Sequence, residues 1–292
     1  MPFILWILAA LILLGLLLVL AIRPAADAFA RMAPFMHWRF AHRGLHRAED
    51  GIPENSLAAF RRAVEGGYGI ELDLHLTTDG QLVVFHDDTL DRVCGISGRV
   101  DEQSWPELQQ HRLLGTEERI PLFREVLETV NGKIPMIVEV KYQKNYAAHC
   151  TEMMKLLSDY EGMYCVESFH PMVIRWMKHH APQVARGLLA DRYVTGELGM
   201  KHNTPLTWLS QELMYNFILK PHFIAYNHQT AAATRTLRLT HRLWHTPCIA
   251  WTIRSEEQET AARALLFDAV IFERYLPAPQ VENDAEPERL RS

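Results

Sequence analysis

In the stretch GIELDLHLTTDG, strand alternation would put Glu71, Asp73 and His75 on one face and Ile70, Leu72, Leu74 and Leu76 on the other. Buried carboxylates are costly unless a cation or metal meets them, and two converging from one strand suit a hard divalent ion. A solvated edge strand with its acids in water would show the same alternation. The run IPMIVEVK repeats the theme, with Glu139 and Lys141 on a shared face. Glu139 would supply a third carboxylate and Lys141 a counter-charge for a substrate oxyanion, although a local ion pair at a strand end needs no more than these two. His42 follows WRFA and His86 follows LVVF. At one rim, two imidazoles can divide general acid and general base work near neutral pH, whereas either alone would be structural. Arg43 and Gly44 extend His42 into a candidate anion loop within AHRGLHRAEDGIPENSLAAF, where Gly44 allows a sharp turn and His46 and Arg47 read as solvated loop residues.

These residues need a frame that brings strand ends together. From Arg39 onward, short β-like runs alternate with helix-like runs: RFAHRG, GIELDLHLT, LVVFHD, IPMIVEVK, YCVESF, ARGLLA, FIAYN, CIAWTI and DAVIFE, with helices expected over 55–66, 121–130, 146–160, 230–244 and 256–266. Such alternation predicts a parallel sheet, and about eight units over roughly 235 residues is the size of a closed (β/α)8 barrel. An open doubly wound sheet is the rival, but the chain has no Gly-rich dinucleotide turn. In a barrel, His42 and His86 fall on the C-terminal rim, where barrel sites are built.

Ahead of the barrel, the 20 residues from Phe3 to Ile22 carry no charge. At about 1.5 Å per residue they can cross roughly 30 Å of hydrocarbon. A cleaved signal peptide is the competing reading, but it would have a basic start and a shorter apolar run, and no clear A-x-A site follows this run in the right place. The expected organisation is a transmembrane anchor at 1–23, a linker at 24–38, a catalytic barrel at 39–278 and a flexible tail at 279–292. The linker has Phe, Met and Trp that would suit a membrane interface or packing on the barrel. Arg23, Arg31, Arg39 and Arg43 follow the span and no Lys or Arg precedes it, which predicts a cytoplasmic barrel on a single-pass protein. A net charge of -5 gives no general pull on nucleic acid, and the four cysteines lack paired spacing and read as free thiols.

The ordered series AHRG, PENS, ELDLHLTTDGQLVVFHDDTLDRVC, GRV, IPLFREVLE and IVEVK resembles the glycerophosphodiester phosphodiesterase family from about Phe40 to Tyr275, most strongly up to Lys141. The family reads HRG, PENT, ExD, T-x-DG, HD, LDR, IP-LEEVL and ExK in the same order. The resemblance implies a TIM barrel with a small insertion after the second strand, here between about Thr89 and Leu122. It implies that Glu71, Asp73 and Glu139 hold magnesium or calcium, and that His42 and His86 act as acid and base. It implies further that Arg43 and Lys141 contact phosphate, Trp251 walls the substrate pocket, and Glu54 and Asn55 shape the site, Asn55 also as an N-cap. In the family the glycerol 2-hydroxyl attacks to give a cyclic phosphate that water opens; direct attack by water would use the same side chains. Two departures stand where specificity would be set: WTIR carries Arg254 in place of a neutral polar residue, and DAVIFERY places Phe272 and Glu273 where a Thr-Asp pair is usual.

The expected activity is therefore metal-dependent hydrolysis of glycerophosphodiesters to glycerol 3-phosphate and an alcohol. A lysophospholipase D acting on a membrane lipid diester is the alternative that the anchor motivates. A catalytically silent, membrane-tethered binding module is the third, and it has no need for His42, His86, Glu71, Asp73 and Glu139 together.

Overall fold

Strands buried on both faces must read as near-continuous apolar runs, and the staves of this sheet do. The computed structural model describes residues 2–192 and 205–278. Among them, nine strands form one sheet: β1 (Arg39–Ala41), β2 (Gly69–Leu76), β3 (Leu82–Val84), β4 (Met136–Val140), β5 (Tyr164–Ser168), β6 (Arg186–Ala190), β7 (Phe223–Asn227), β8 (Cys248–Ile253) and β9 (Ala269–Phe272). All eight residues of β2 are buried. β1 pairs in parallel with both β2 and β9, which closes eight parallel strands into a TIM barrel. The expected tail at 279–292 lies outside the described residues.

LVVFHD is not one of the parallel staves that the alternation suggests. β3 runs antiparallel to β2, pairing Leu74 with Val84 and Leu76 with Leu82. The reason is the length of the connection: Thr77 N–H donates to Gln81 O at 2.9 Å, and Gly80 turns at φ +77°. So short a link makes a hairpin, because a parallel crossover takes a dozen residues or more. β2 thus overshoots the rim and β3 folds back, returning His86 to the barrel mouth. The excursion that follows carries its own apolar cluster, with Val83, Phe85, Leu90, Val93, Val100, Leu108, Leu113, Ile120 and Leu122 buried together.

At the opposite end, residues 24–38 pack on the barrel. Met32 and Phe35 are buried among Phe40, Ile137, Cys165, Ala185, Phe223, Ile249 and Ala269, which stand at or near the strand starts and form the barrel floor. The helix Pro2–Ala21 precedes this plug, and its apolar length is not buried against the barrel. It is long and apolar enough to cross a membrane.

Candidate active site

Parallel register brings the carboxylates together. Asp73 on β2 pairs with Glu139 on β4, and Glu139 pairs with Glu167 on β5. One oxygen from each of Glu71, Asp73 and Glu139 lies within 4.8 Å of the others, and all three residues are buried. Lys141 reaches the same place, its Nζ 2.8 Å from Glu139 Oε1 and 3.0 Å from Asp73 Oδ1. The Glu-Lys pair is therefore not a local strand-end contact, since it includes Asp73 from the neighbouring stave. Arg43 adds its backbone N–H to Glu71 Oε2 at 3.1 Å, and its Nε lies 3.7 Å from Asp73 Oδ2.

The two histidines enter from opposite sides. His42 leaves the end of β1, its N–H donating to Phe272 O on β9. Its Nδ1 meets Glu273 Oε2 at 2.8 Å, and its Nε2 stands 4.0 Å from Glu71 Oε2. His86 follows β3, with Nδ1 held at 2.6 Å by Asp87 Oδ1 and its carbonyl facing His75 Nε2 at 3.4 Å. In both, a carboxylate holds one ring nitrogen and leaves the other for chemistry. Arg92 ties the loops together: it binds Asp87 through Nε at 2.6 Å and Glu54 through both terminal nitrogens, at 2.8 and 2.6 Å. Glu54 in turn accepts from Arg43 Nη1 at 2.7 Å. Asn55 differs from expectation. It sits at φ +52° and gives its amide to Asp73 Oδ2 at 2.8 Å, while Ser56, in extended conformation, caps the helix Leu57–Gly66 by accepting from Ala59 N–H. The N-cap thus falls one residue later, because the left-handed backbone turns the Asn55 side chain into the site.

Gly44 turns behind His42 at φ +81°, and a Cβ there would stand 2.8 Å from Ala59 Cβ, so the position needs glycine twice over. His46 is half-buried rather than solvated, and it lines a cleft of about 670 Å³ with Arg47, Arg62 and Glu273. On the other side a cleft of about 800 Å³ is lined by His86, Glu139, Lys141, Tyr142, Phe169 and His170, among others. Trp251 stands behind Phe169, edge-on with ring centroids 5.6 Å apart.

Burial, and then Asp73, Glu139 and Glu167, push the Glu71 carboxyl well above the usual range. Burial alone would raise Asp73 as well, but Lys141, His86 and Arg43 hold it well below. Desolvation followed by Arg43 brings His42 down to about 4, against the pull of Glu273. Burial opposes Glu273, yet His42 and Arg254 hold it far below the usual range. The excess of buried negative charge over Lys141 and Arg43 fits a divalent cation held by Glu71, Asp73 and Glu139: hard oxygen donors, close-set, and mutually repelling without it.

The structure thus gathers His42, His86, Arg43, Lys141, Glu71, Asp73, Glu139, Glu54 and Asn55 at one rim, and leaves Trp251 one aromatic ring removed from the larger cleft. Four participants escaped sequence reasoning. Glu167 is 1% exposed and faces the triad; it interrupts YCVESF as Glu139 interrupts IPMIVEVK, and that signal was available. Glu273 and Arg254, read as specificity positions, join each other at 2.7 Å and support His42. Arg92 lay within the LDR segment without a role.

A sequence model of the glycerophosphoryl diester phosphodiesterase family matches residues 42–276. The chain is 35% identical over 163 residues to a glycerophosphodiester phosphodiesterase of Caldanaerobacter subterraneus subsp. tengcongensis, covering 51% of this chain and 65% of that protein. It is 35% identical over 152 residues to glycerophosphodiester phosphodiesterase 1 of Homo sapiens, covering 47% of this chain and 44% of the relative. Each match spans less than two thirds of the relative's length. Among solved structures, an Oleispira antarctica phosphodiesterase in complex with sn-glycerol-3-phosphate superposes with a TM-score of 0.66 at 21% identity, over 83% of this chain and 94% of that one. The glycerophosphodiester phosphodiesterase of Thermotoga maritima gives 0.61 at 21% identity, over 80% and 93%. At such identities these structures speak for the fold.

Proposed function

The chain belongs to the glycerophosphoryl diester phosphodiesterase family, and on that premise we propose that it hydrolyses glycerophosphodiesters to glycerol 3-phosphate and an alcohol, using a divalent cation. One observation carries the reading: His42 and His86 reach the Glu71–Asp73–Glu139 cluster from two different loops, each with one ring nitrogen already held by a carboxylate. Glu71, Asp73 and Glu139 would hold magnesium or calcium, which supplies Lewis acidity to a phosphoryl oxygen. Arg43 and Lys141 offset charge on the phosphate as it gains negative character in the transition state. One histidine takes the proton of the attacking hydroxyl, and the other gives a proton to the departing alkoxide. Phe169 lines the apolar side of the cleft that leads to the centre, and Trp251 backs it edge-on. Glu54, Asn55 and Arg92 keep Arg43, Asp73 and Asp87 in place.

We read residues 1–23 as a membrane anchor and 39–278 as the catalytic unit, on the cytoplasmic side. The basic residues after the span support that side, although Arg39 and Arg43 are taken up within the barrel by Glu259 and Glu54. A reporter fused at the C-terminus reads the side directly.

The full-length protein in detergent would be assayed with glycerophosphocholine, glycerophosphoglycerol and lysophospholipids, with magnesium or calcium and then EDTA. The expected result is metal-dependent release of glycerol 3-phosphate, lost on chelation. Absence of diester hydrolysis under every condition would falsify the proposal, and turnover of lysophospholipid alone would replace it with the lysophospholipase D reading.

A further inference from the structure

The barrel floor holds groups that catalysis does not use. Ile22, one residue past the apolar helix, is 0% exposed, and its carbonyl accepts from Asn216 Nδ2 at 3.1 Å and Thr240 Oγ1 at 2.9 Å. Ala25 N–H donates to Pro221 O at 2.9 Å, and Lys220 Nζ donates to Arg23 O at 3.2 Å. The Arg23 guanidinium lies over the Trp244 ring, 4.8 Å from its centroid. Between the helix and the barrel there is no free tether. The helix end is bonded to the segments leading into β7 and β8, and Met32 and Phe35 then enter the floor.

The surface at this joint is both cationic and apolar. Burial, then Arg23 and Lys178, lower the proton affinity of Lys220, which marks the three cations as neighbours. Lys178 Nζ is held by Ile218 O at 2.6 Å rather than by an acid. Asp27, the first carboxylate after the helix, is taken up by Arg31 at 2.7 Å. Phe29, two residues past Asp27, and Phe217, next to Ile218, remain 52% and 51% exposed, and Ile218 38%. Cations and large apolar groups mixed around a span's end are the composition of a surface that meets anionic head groups.

We propose that the barrel floor is a bilayer-docking face. Pro2–Ala21 enters the membrane, Arg23, Lys178 and Lys220 lie among anionic head groups, and the catalytic mouth opens away from that bilayer. The mouth lies at the strand ends and the joint at the strand starts, separated by about five residues of strand at roughly 3.3 Å each. Substrate then arrives from water instead of by lateral entry from the anchoring leaflet, a consequence that rests on the proposed phosphodiesterase activity; the docking itself does not.

The test uses the full chain in nanodiscs of phosphatidylcholine and phosphatidylglycerol carrying head-group nitroxide. A fluorophore is placed on the floor at Phe217→Cys or Phe29→Cys, or at the mouth at Tyr142→Cys, in each case with Cys94→Ser. Several-fold stronger quenching at both floor positions than at the mouth is expected. Equal quenching, or stronger quenching at the mouth, overturns the docking. In the same discs, turnover of embedded lysophosphatidylcholine exceeding that of glycerophosphocholine in solution would overturn the arrival of substrate from water. If neither is hydrolysed, the activity reading fails, and the quenching decides the docking alone.

Discussion

His42 can keep Nε2 for a substrate only while something fixes its ring, and that something is Glu273 at 2.8 Å, itself braced by Arg254 at 2.7 Å. Glu273→Gln keeps the shape but weakens the hold on Nδ1. It should lower kcat by about tenfold to a hundredfold, the range found for partners that orient functional histidines, with KM little changed. His42→Ala should abolish turnover and leave the melting temperature near that of the parent. A Glu273→Gln enzyme with full kcat and an unaltered pH profile would remove the residue from the mechanism. The hold of Glu273 on His42 was not legible in the sequence, because 231 residues separate the two and only barrel closure through β1 and β9 joins them. Glu71, Asp73 and Glu139 were legible, since a carboxylate set into an apolar strand is costly to bury unless a cation meets it.

At the level of elements, the plug at 24–38 is the part least visible from residue order. Its Phe and Met suited a membrane interface as well as a barrel, and the choice depends on the hole that eight strand starts leave in the floor. Met32 is 0% exposed and Phe35 5%. Met32→Ala and Phe35→Ala should each cost about 2–5 kcal/mol, as emptied core positions do. Chemical denaturation would show it as a lowered midpoint with an unchanged slope. A midpoint equal to the parent's would mean that the plug is dispensable. The hairpin escapes the sequence for a related reason: apolar content identifies a strand, but the direction of β3 is set by the Thr77–Gln81 turn, which a count of apolar runs ignores.

Packing across the molecule keeps His149 and His222 away from water. Burial brings His149 down to about 3, and burial followed by Arg186 brings His222 to about 4. The unfolded chain takes up these protons near 6.5, whereas the fold resists until far lower pH. Their contribution to stability is therefore complete above about pH 6.5 and falls away as the pH drops toward 4. Melting temperature should decline through mild acid, and His149→Leu should flatten that decline. A melting temperature constant from about pH 7 to 5 would contradict the account.

The two catalytic histidines also rest beside different apolar clusters. His42 stands on the barrel wall, whereas His86 stands on an excursion whose apolar cluster, from Val83 to Leu122, is separate from the barrel's own. Such a satellite can open at a lower free energy than the whole domain. The competent fraction of enzyme is then the fraction in which that lobe is closed, and apparent affinity scales with it. A substitution at Val93 or Leu108, far from any phosphate, would act as a dimmer on the enzyme while the barrel stays folded.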